Sequence, residues 1–345
     1  MRVNVISESA FTVQGHGVHS AFVDTVRILR DYTDFTVYEN SSKRADVVHI
    51  HTVGPYSLVK LVFSRGAKVV SAHVTPDSFV GSLVGAKYWY GLAKAYLRWF
   101  YSLADAVLAV STEVQEQLTA MGVSKPVYLV PNTIEINNFA VSSGEKASIR
   151  KRLGIGDDQF VVMGCGQVQP RKRVDSFINV ARQLPDTAFI WVGGMPFKAA
   201  AADAGHMKEL MRRKPANVTF TGSILRERVI EYYKASDVFF LPSAQETFGL
   251  VVVEAAAAGL PIVLRDLQQY RETFIDGYAM AETNDDFVEM ISRLRRDRDF
   301  YSRMKGSAYT KIAKRYDGKA GASRLAEVYQ ETIAGRSLIK TKQSA

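Results

Sequence analysis

The chain has 345 residues, 47% hydrophobic and 23% charged, a composition typical of a folded globular protein with one large or two medium domains. Its single cysteine excludes an internal disulfide framework, and no uncharged apolar run reaches the roughly 18 residues of a membrane-spanning helix. The net charge is +9, but residues 1–142 contain 12 Lys/Arg and 11 Asp/Glu, which argues against a uniformly basic nucleic-acid-binding surface.

Short apolar runs alternate with stretches of helical period through the first 142 residues. The first run begins directly after Met1 without an apolar signal region, so a protein of the reducing cytoplasm is expected. Alternation of this kind predicts a parallel sheet covered by helices on both faces. The predicted strands are Val3–Ser7, Phe35–Tyr38, Val47–His51, Lys68–His73, Ala106–Val110 and Val127–Val130.

The pattern is interrupted at residues 141–146, a polar stretch interpreted as a linker, and then restarts. Further strands are predicted at Phe160–Gly164, Thr187–Val192, Val218–Thr221, Asp237–Leu241 and Pro261–Leu264. After about residue 285 only helical patterns remain, and the last helix, near Lys319–Ile333, is expected to return to the first domain. The chain is therefore predicted to form two facing Rossmann-like doubly wound α/β domains, with the boundaries 1–142, 143–318 and, for a crossover helix and tail, 319–345.

Two glutamates stand eight residues apart after the tenth predicted strand, in the sequence ETFGLVVVE. Glu246 would lie at the start of a helix and Glu254 about two turns along it, so one can contact the hydroxyls of a sugar while the other holds a ribose diol. Backbone N–H groups of Phe248, Gly249 and Leu250 at the helix N-terminus offer a site for a diphosphate. Loops at the carboxyl ends of parallel strands are where such ligands bind.

A glycine-rich strand end leads into three consecutive cations in the sequence GCGQVQPRKR, residues 164–173. Fixed cations in a dry cleft stabilise the charge that develops on a leaving phosphate more than they stabilise the ground state. Lys172 is the predicted stabiliser, and Arg171 and Arg173 flank it.

The N-terminal half contributes candidates from two further loops. Gly15 and Gly17 follow the first strand and allow a ligand to approach the backbone at a helix N-terminus. His73 ends the fourth strand, where a lone histidine is more often structural than catalytic. His49 and His51 alternate along the neighbouring strand without the spacing of a metal site.

A helix predicted over residues 87–103 has a cationic stripe, because Lys87, Lys94 and Arg98 fall within about 40° of one another at about 100° per residue. The opposite side is expected to pack on the sheet and contains Trp89, Leu92, Tyr96, Trp99, Phe100 and Leu103. Apolar residues precede the helix, among them Phe79, Val80, Leu83 and Val84. The stripe suits anionic lipid headgroups, and it also fits a solvated helix face; both can hold at once.

The ETFGLVVVE segment, with the preceding SDVFFLPS, resembles the Glu-x7-Glu motif of the family-4 retaining glycosyltransferases of the GT-B fold. The resemblance implies a nucleotide-sugar donor held by the C-terminal domain and covers nearly the whole chain. Lys172 matches the family lysine that binds the donor diphosphate, and His73 matches the histidine beside the transferred sugar.

Two further features of that resemblance concern the phosphate contacts. Gly15 and Gly17 match the glycine-rich loop that touches the donor phosphate or the acceptor. Gln167 departs from the family, which has arginine there, and leaves Arg171 or Arg173 as the source of the missing charge.

Segments 166–174 and 189–194 are similar to the bacterial branch that glucosylates diacylglycerol. This similarity implies transfer of glucose from UDP-glucose to a membrane lipid such as 1,2-diacylglycerol, giving an α-glycosidic glycolipid. It also implies peripheral attachment to the inner face of the cell membrane. The nucleotide sugar is a co-substrate, and neither a cofactor nor a nucleic-acid partner is expected.

No metal site is predicted, because Asp297-Arg298-Asp299 lies in a charged helical stretch and the diphosphate would be neutralised by side chains and a helix end. One alternative is a soluble family-4 enzyme with a polysaccharide, protein or small-molecule acceptor. A second is a dinucleotide-dependent oxidoreductase, although G-x-G-x-x-G follows neither first strand. A third is a non-catalytic nucleotide-binding or nucleic-acid-binding module, although its basic clusters lack interleaved aromatic residues.

Overall fold

The computed structural model describes residues 1–11, 17–79, 85, 88–195 and 203–343, with side chains to residue 336. These residues form two compact units, one from residues 1–79, 88–135 and 316–343 and the other from residues 136–315. Each unit contains a parallel six-stranded sheet covered by helices. The predicted doubly wound α/β class is confirmed for both.

The first unit has the strand order β2-β1-β3-β4-β5-β6. Its strands are β1 (Arg2–Ile6), β2 (Thr36–Glu39), β3 (Val47–Ile50), β4 (Ala67–Ala72), β5 (Ala106–Ala109) and β6 (Val127–Leu129). Its helices are α1 (Gly17–Tyr32), α2 (Pro55–Phe63), α3 (Pro76–Phe79), α4 (Tyr90–Ser102), α5 (Thr112–Ala120) and α14 (Gly318–Gln343). The chain reverses its direction of winding at β1, the point near which ligands of such sheets bind.

The two faces of this sheet are distinguished along β1. Val3 and Val5 join a buried apolar cluster with Phe22 of α1 and Tyr329 of α14, so these two helices cover one face. Because side chains alternate along a strand, Asn4 points to the other face, where it lies beside residues of α2. The expected return of the C-terminal helix to the first unit is confirmed, since α14 contacts α1 and β4.

Helix α4 buries a different face from the one predicted. Its buried residues are Ala93, Leu97, Phe100 and Tyr101, whereas Leu92 and Trp99 are 76% and 48% exposed. The prediction was correct for Phe100, which is buried, and wrong for Leu92 and Trp99, which it placed against the sheet. The hydroxyl of Tyr101 donates to the carbonyl of Val74 at 2.6 Å. In the orientation of the helix that allows this hydrogen bond, Leu92 and Trp99 lie at the surface.

The second unit has the strand order β12-β11-β10-β7-β8-β9. Its strands are β7 (Val161–Cys165), β8 (Ala188–Val192), β9 (Val218–Phe220), β10 (Val238–Leu241), β11 (Ile262–Arg265) and β12 (Ala279–Ala281). Its helices are α6 (Ser143–Leu153), α7 (Val174–Gln183), α8 (Ala204–Arg212), α9 (Arg226–Ala235), α10 (Leu250–Ala257), α11 (Gln268–Phe274), α12 (Asn284–Arg296) and α13 (Arg298–Lys311).

Two local features of the second unit differ from the prediction. Residues 143–146 form the first turn of α6 rather than a linker, because the side chain of Ser142 caps the helix by accepting from the N–H of Glu145. Strand β12 was not predicted, since it has three residues and the middle one, Met280, is 50% exposed. Asp297 also has a capping role: it accepts from the N–H of Phe300 at the start of α13.

Candidate functional site

The loop after β7 places a lysine in the interior of the second unit. A short 3-10 helix, Pro170–Lys172, follows the strand end, and Lys172 is only 5% exposed. Gly166 has a φ of +140°, and a Cβ there would lie 3.2 Å from Cε of Lys172. Glycine at this position therefore gives the turn its shape and leaves room for the lysine side chain.

Glu246 is the partner of Lys172. It lies in the loop between β10 and α10, is 7% exposed, and its Oε1 forms a buried ion pair with Nζ of Lys172. Arg171 lies on the other side, with Nη1 3.5 Å from Oε2 of Glu246. Burial opposes ionisation of the carboxyl, but the charges of Lys172 and Arg171 hold the pKa of Glu246 below its ordinary value. The site therefore contains one carboxylate between two cations.

Gln167 is connected to this cluster through other side chains. Its Oε1 accepts from Nε2 of Gln169 at 2.7 Å, and Oε1 of Gln169 accepts from Nε of Arg171 at 3.1 Å. Arg173 is turned to a different partner, because its guanidinium forms two close contacts with the carboxylate of Asp175. Of the two arginines that could supply the charge missing at Gln167, Arg171 is the one beside Glu246.

The start of α10 follows directly after Glu246. Gly249 is the N-cap residue with a φ of +86°, a conformation that favours glycine, and Leu250 is the first helical residue. Phe248 is buried and packs against Phe274 with ring centroids 6.1 Å apart. This packing fixes the turn whose backbone amides point along the helix axis, where the helix dipole favours an anion.

Glu254 lies in the second turn of α10 and its side chain is buried. Both of its carboxylate oxygens accept hydrogen bonds. Nη1 of Arg226 donates to Oε1 at 2.7 Å, and the hydroxyl of Tyr233 donates to Oε2 at 2.9 Å. Burial, and then the carboxylate of Glu254, raise the pKa of the Cys165 thiol to about 12. Arg226 and Tyr233 both come from α9 and hold the carboxylate in one orientation.

His73 follows β4 in the first unit and is paired with a second histidine. Nδ1 of His51 and Nε2 of His73 are 3.0 Å apart, and the two rings stack with centroids 5.1 Å apart. His51 is 2% exposed, and its Nε2 has no hydrogen-bond partner among the described residues. Burial lowers the pKa of His51 well below its ordinary value, so this ring is neutral.

The geometry assigns the proton shared by this pair. If His51 were protonated on Nε2, a buried N–H would lack an acceptor, at a cost of about 1–3 kcal/mol. Buried N–H groups without partners are rarer than unpaired acceptors. The proton therefore lies on Nδ1 of His51 and is donated to Nε2 of His73.

His49, the third histidine of this region, has a structural role. Its Nε2 is 2.7 Å from Oγ of Ser71, and its Nδ1 is 2.7 Å from the hydroxyl of Tyr329 in α14. Burial, and then the neighbouring His73, lower the pKa of His49 to about 3. Nδ1 therefore connects the sheet to α14, and Nε2 connects β3 to the neighbouring strand β4.

The predicted residues of the glycine-rich loop and of the lipid-facing surface are only partly within the described chain. Gly15, Leu83 and Lys87 lie outside the described residues, while Gly17 is the first residue of α1. Phe79 ends α3 and contacts the ring of Trp89 with centroids 5.3 Å apart. Lys94 and Arg98 are exposed on α4. No described helix is long and apolar enough to cross a bilayer.

The exposed surface of α4 combines these cations with apolar side chains. Leu92 and Trp99 are exposed, as the fold established, and Tyr96, which is 37% exposed, contacts Trp99 with ring centroids 5.9 Å apart. The sequence predicted the cations correctly as surface residues but assigned the aromatic side chains to the interior. The helix therefore presents a mixed aromatic and cationic face to solvent, as interfacial helices do.

The sequence analysis gave no role to Gln169, Arg226 or Tyr233, and it considered His51 only as a metal ligand. Arg226 and Tyr233 lie 28 and 21 residues before Glu254 and have no motif of their own. His51 could have been paired with His73, because both residues end neighbouring parallel strands.

The fold and these clusters define a class of enzyme, and family models agree with it. The model "Glycosyl transferases group 1" matches residues 145–311, and the model "Glycosyltransferase Family 4" matches residues 10–138. The chain belongs to the family-4, group 1 glycosyltransferases, which are retaining hexosyltransferases of the GT-B fold.

Individual relatives are similar over most of the chain. Alpha-galactosylglucosyldiacylglycerol synthase of Streptococcus pneumoniae is 35% identical over 297 residues, covering 84% of this chain and 79% of that protein. Processive diacylglycerol alpha-glucosyltransferase of Acholeplasma laidlawii is 25% identical over 343 residues, covering 96% and 99%. Among solved structures, Anabaena HepE in complex with UDP-glucose superimposes with a TM-score of 0.76 at 19% identity, covering 96% of this chain and 100% of that chain.

Proposed function

We propose that the protein transfers glucose from UDP-glucose to 1,2-diacylglycerol and makes an α-glycosidic membrane glycolipid. The observation that carries the proposal is the buried cluster of Lys172, Arg171 and Glu246 at the start of α10, with Glu254 held further along the same helix. Two diacylglycerol glycosyltransferases among the relatives support the lipid acceptor, and the complex of HepE supports UDP-glucose as donor.

Each residue of the cluster has a distinct task in this proposal. Glu254 receives the ribose hydroxyls, and Arg226 and Tyr233 fix its orientation. The diphosphate binds at the N-terminus of α10, near Phe248, Gly249 and Leu250. Because Glu254 is already bonded on both oxygens, the ribose is held by sharing or displacing one of those contacts.

The cations act on the leaving group. As the bond between the sugar and the diphosphate breaks, negative charge grows on the β-phosphate, and Lys172 and Arg171 stabilise it without having to reorient from water. Glu246 accepts from the sugar hydroxyls and keeps both cations in place. His73, which is paired with His51, is the residue of the first unit proposed to contact the transferred sugar.

The proposed contacts with the membrane that contains the acceptor lie on α4. Residues 1–142 are proposed to bind the acceptor, residues 143–318 the donor, and 319–345 to return to the first domain. The exposed Leu92 and Trp99 suit the interfacial region of a bilayer, while Lys94 and Arg98 suit anionic headgroups. The enzyme is proposed to attach peripherally to the inner face of the cell membrane, and Phe79 with the predicted residues Leu83 and Lys87 would extend that contact.

A donor screen tests the proposal. Release of nucleotide from UDP-glucose, UDP-galactose and UDP-N-acetylglucosamine is measured with and without diacylglycerol in vesicles, and the lipid product is identified by mass spectrometry. Release that depends on UDP-glucose and diacylglycerol supports the proposal. Equal turnover with a soluble sugar acceptor and no response to diacylglycerol would replace it with the soluble family-4 alternative.

The α4 surface is tested separately by vesicle flotation. We expect Leu92→Ser/Trp99→Ser, and independently Lys94→Gln/Arg98→Gln, to reduce binding to vesicles that contain phosphatidylglycerol and to leave UDP binding unchanged. The matched control is Lys151→Gln/Lys208→Gln, two lysines of the second unit. If the control and the α4 variants float equally well, α4 is only a solvated helix.

A further inference from the structure

The first unit contains a second cationic region, at the edge of the sheet opposite to His73. A groove of about 420 Å³ lies between α2 and the connection from β2 to β3. Gly66 lines it and immediately precedes β4, whereas His73 follows that strand. The groove is therefore separate from the loops in which the candidate catalytic residues of this unit lie.

The lining of this groove has one sign of charge. Four cationic side chains line it, and no acidic side chain does so among the described residues; the cations are Lys43, Arg44, Lys60 and Arg65. The nearest carboxylate along the chain is Asp46, which is bound to Arg2 by an ion pair of 2.8 Å. Cations gathered in this way repel one another unless an anion lies between them.

The connection that forms one wall is held rigidly. Nδ2 of Asn4 donates to the carbonyl of Ser41 at 2.8 Å, and the N–H of Ser41 donates back to Oδ1 of Asn4 at 3.1 Å. Nζ of Lys60 donates to the same carbonyl at 2.9 Å. A buried asparagine and a lysine thus fix the backbone at Ser41, at the start of the loop from which the exposed side chains of Lys43 and Arg44 extend.

The remaining lining identifies the chemical class of the ligand. Hydroxyl groups of Ser42 and Ser64 stand among the cations and can donate to anionic oxygens. Val59 and Phe63 of α2 also line the groove, and they are 52% and 78% exposed. Charged donors beside exposed apolar side chains suit an anion that carries an apolar substituent.

We infer that this groove binds a phosphate ester, with the phosphate between Arg44 and Arg65 and its substituent along Phe63. The phosphate can belong to the headgroup of an anionic phospholipid or to a soluble phosphorylated compound. Neither source involves the donor site of the second unit, so the inference does not depend on which sugar or acceptor the enzyme uses.

The inference is tested by binding alone, without a sugar donor. The full chain is titrated calorimetrically with dihexanoylphosphatidylglycerol below its critical micelle concentration and, separately, with glycerol 1-phosphate. The test variant is Arg44→Gln/Arg65→Gln. The matched control is Arg27→Gln/Lys319→Gln, which removes the same charge from exposed positions on α1 and α14, the helices that cover the other face of the sheet.

We expect the groove variant to lose about tenfold or more in affinity for both probes, while the control retains wild-type affinity. Phe63→Ser should weaken binding of dihexanoylphosphatidylglycerol only. Tighter binding of that lipid than of glycerol 1-phosphate identifies a lipid headgroup as the source, and equal binding identifies a soluble phosphate ester. The inference is overturned if the wild-type chain binds neither probe, or if the groove and control variants bind alike.

Discussion

Replacing Lys172 with Met removes one charge from an ion pair whose two side chains are 7% and 6% exposed. Breaking a buried pair by removing one partner costs about 3–5 kcal/mol, because the other charge is left without compensation. Arg171 stays 3.5 Å from Oε2 of Glu246 and compensates in part. We therefore expect a loss at the lower end, about 3 kcal/mol in the free energy of unfolding.

Urea unfolding of the chain at pH 7 measures this loss, with Lys151→Met on the exposed surface of α6 as the control. The double variant Lys172→Met/Glu246→Gln should recover part of the stability, because it removes the buried carboxylate and leaves only Arg171, whose side chain is 22% exposed. Both variants should nevertheless lose roughly 10²-fold or more in turnover, because the stabiliser of the leaving phosphate is gone. The comparison of the single and the double variant therefore separates the contribution of Lys172 to stability from its contribution to catalysis.

The contribution of Glu246 to the free energy of unfolding depends on pH in a direction that its pKa shift determines. The pKa of Glu246 lies below its ordinary value of 4.5, so its charge contributes stability that is fully present above that pH and is lost as pH falls through the folded-state pKa. Without Lys172 that pKa rises, and the loss begins at a higher pH. The reasoning is refuted if Lys172→Met is as stable as the Lys151→Met control at pH 7, or if the double variant is less stable than the single one.

Three further predictions concern the other clusters. Glu254→Gln and Arg226→Ala should each weaken UDP-glucose binding in calorimetry, whereas Glu246→Gln should lower kcat more than binding; wild-type values in all three would contradict the site. His51→Leu should lower kcat about tenfold with little change in KM, the loss expected for one hydrogen bond. His51→Asn, whose amide can replace Nδ1 as donor, should restore most of it, and equal loss in both variants would indicate a purely structural role. Because burial and Glu254 raise the pKa of Cys165 to about 12, the native protein should resist iodoacetamide at pH 8, while in concentrated urea mass spectrometry should find a single adduct. Rapid labelling of the native chain would show that the thiol is exposed.

The strands could be predicted because central parallel strands are buried on both faces and therefore appear as short continuous apolar runs. Loops after those strands could be searched for the same reason, and this led to Lys172 and Glu246. The partners of Glu254 could not be found in this way, because Arg226 and Tyr233 reach it from α9 only after the unit has folded.

Helix α4 shows the limit of periodicity as a guide. A helical wheel gives the spacing of the aromatic residues but not the rotation of the helix, which depends on tertiary contacts such as the one between Tyr101 and Val74. The wheel therefore placed Trp99 inside, although it is at the surface. The three-residue strand β12 was missed because so short a segment has no detectable period.

The placement of α14 affects the order in which the chain can fold during its synthesis. Val328 and Tyr329 belong to the core of the first unit, yet they are translated after all of residues 136–315. A nascent chain can thus complete the second unit while the first unit still exposes the apolar surface, including Val3 and Val5, that α14 later covers. The core of the first unit therefore closes only after α14 has been synthesised, however early its sheet is translated.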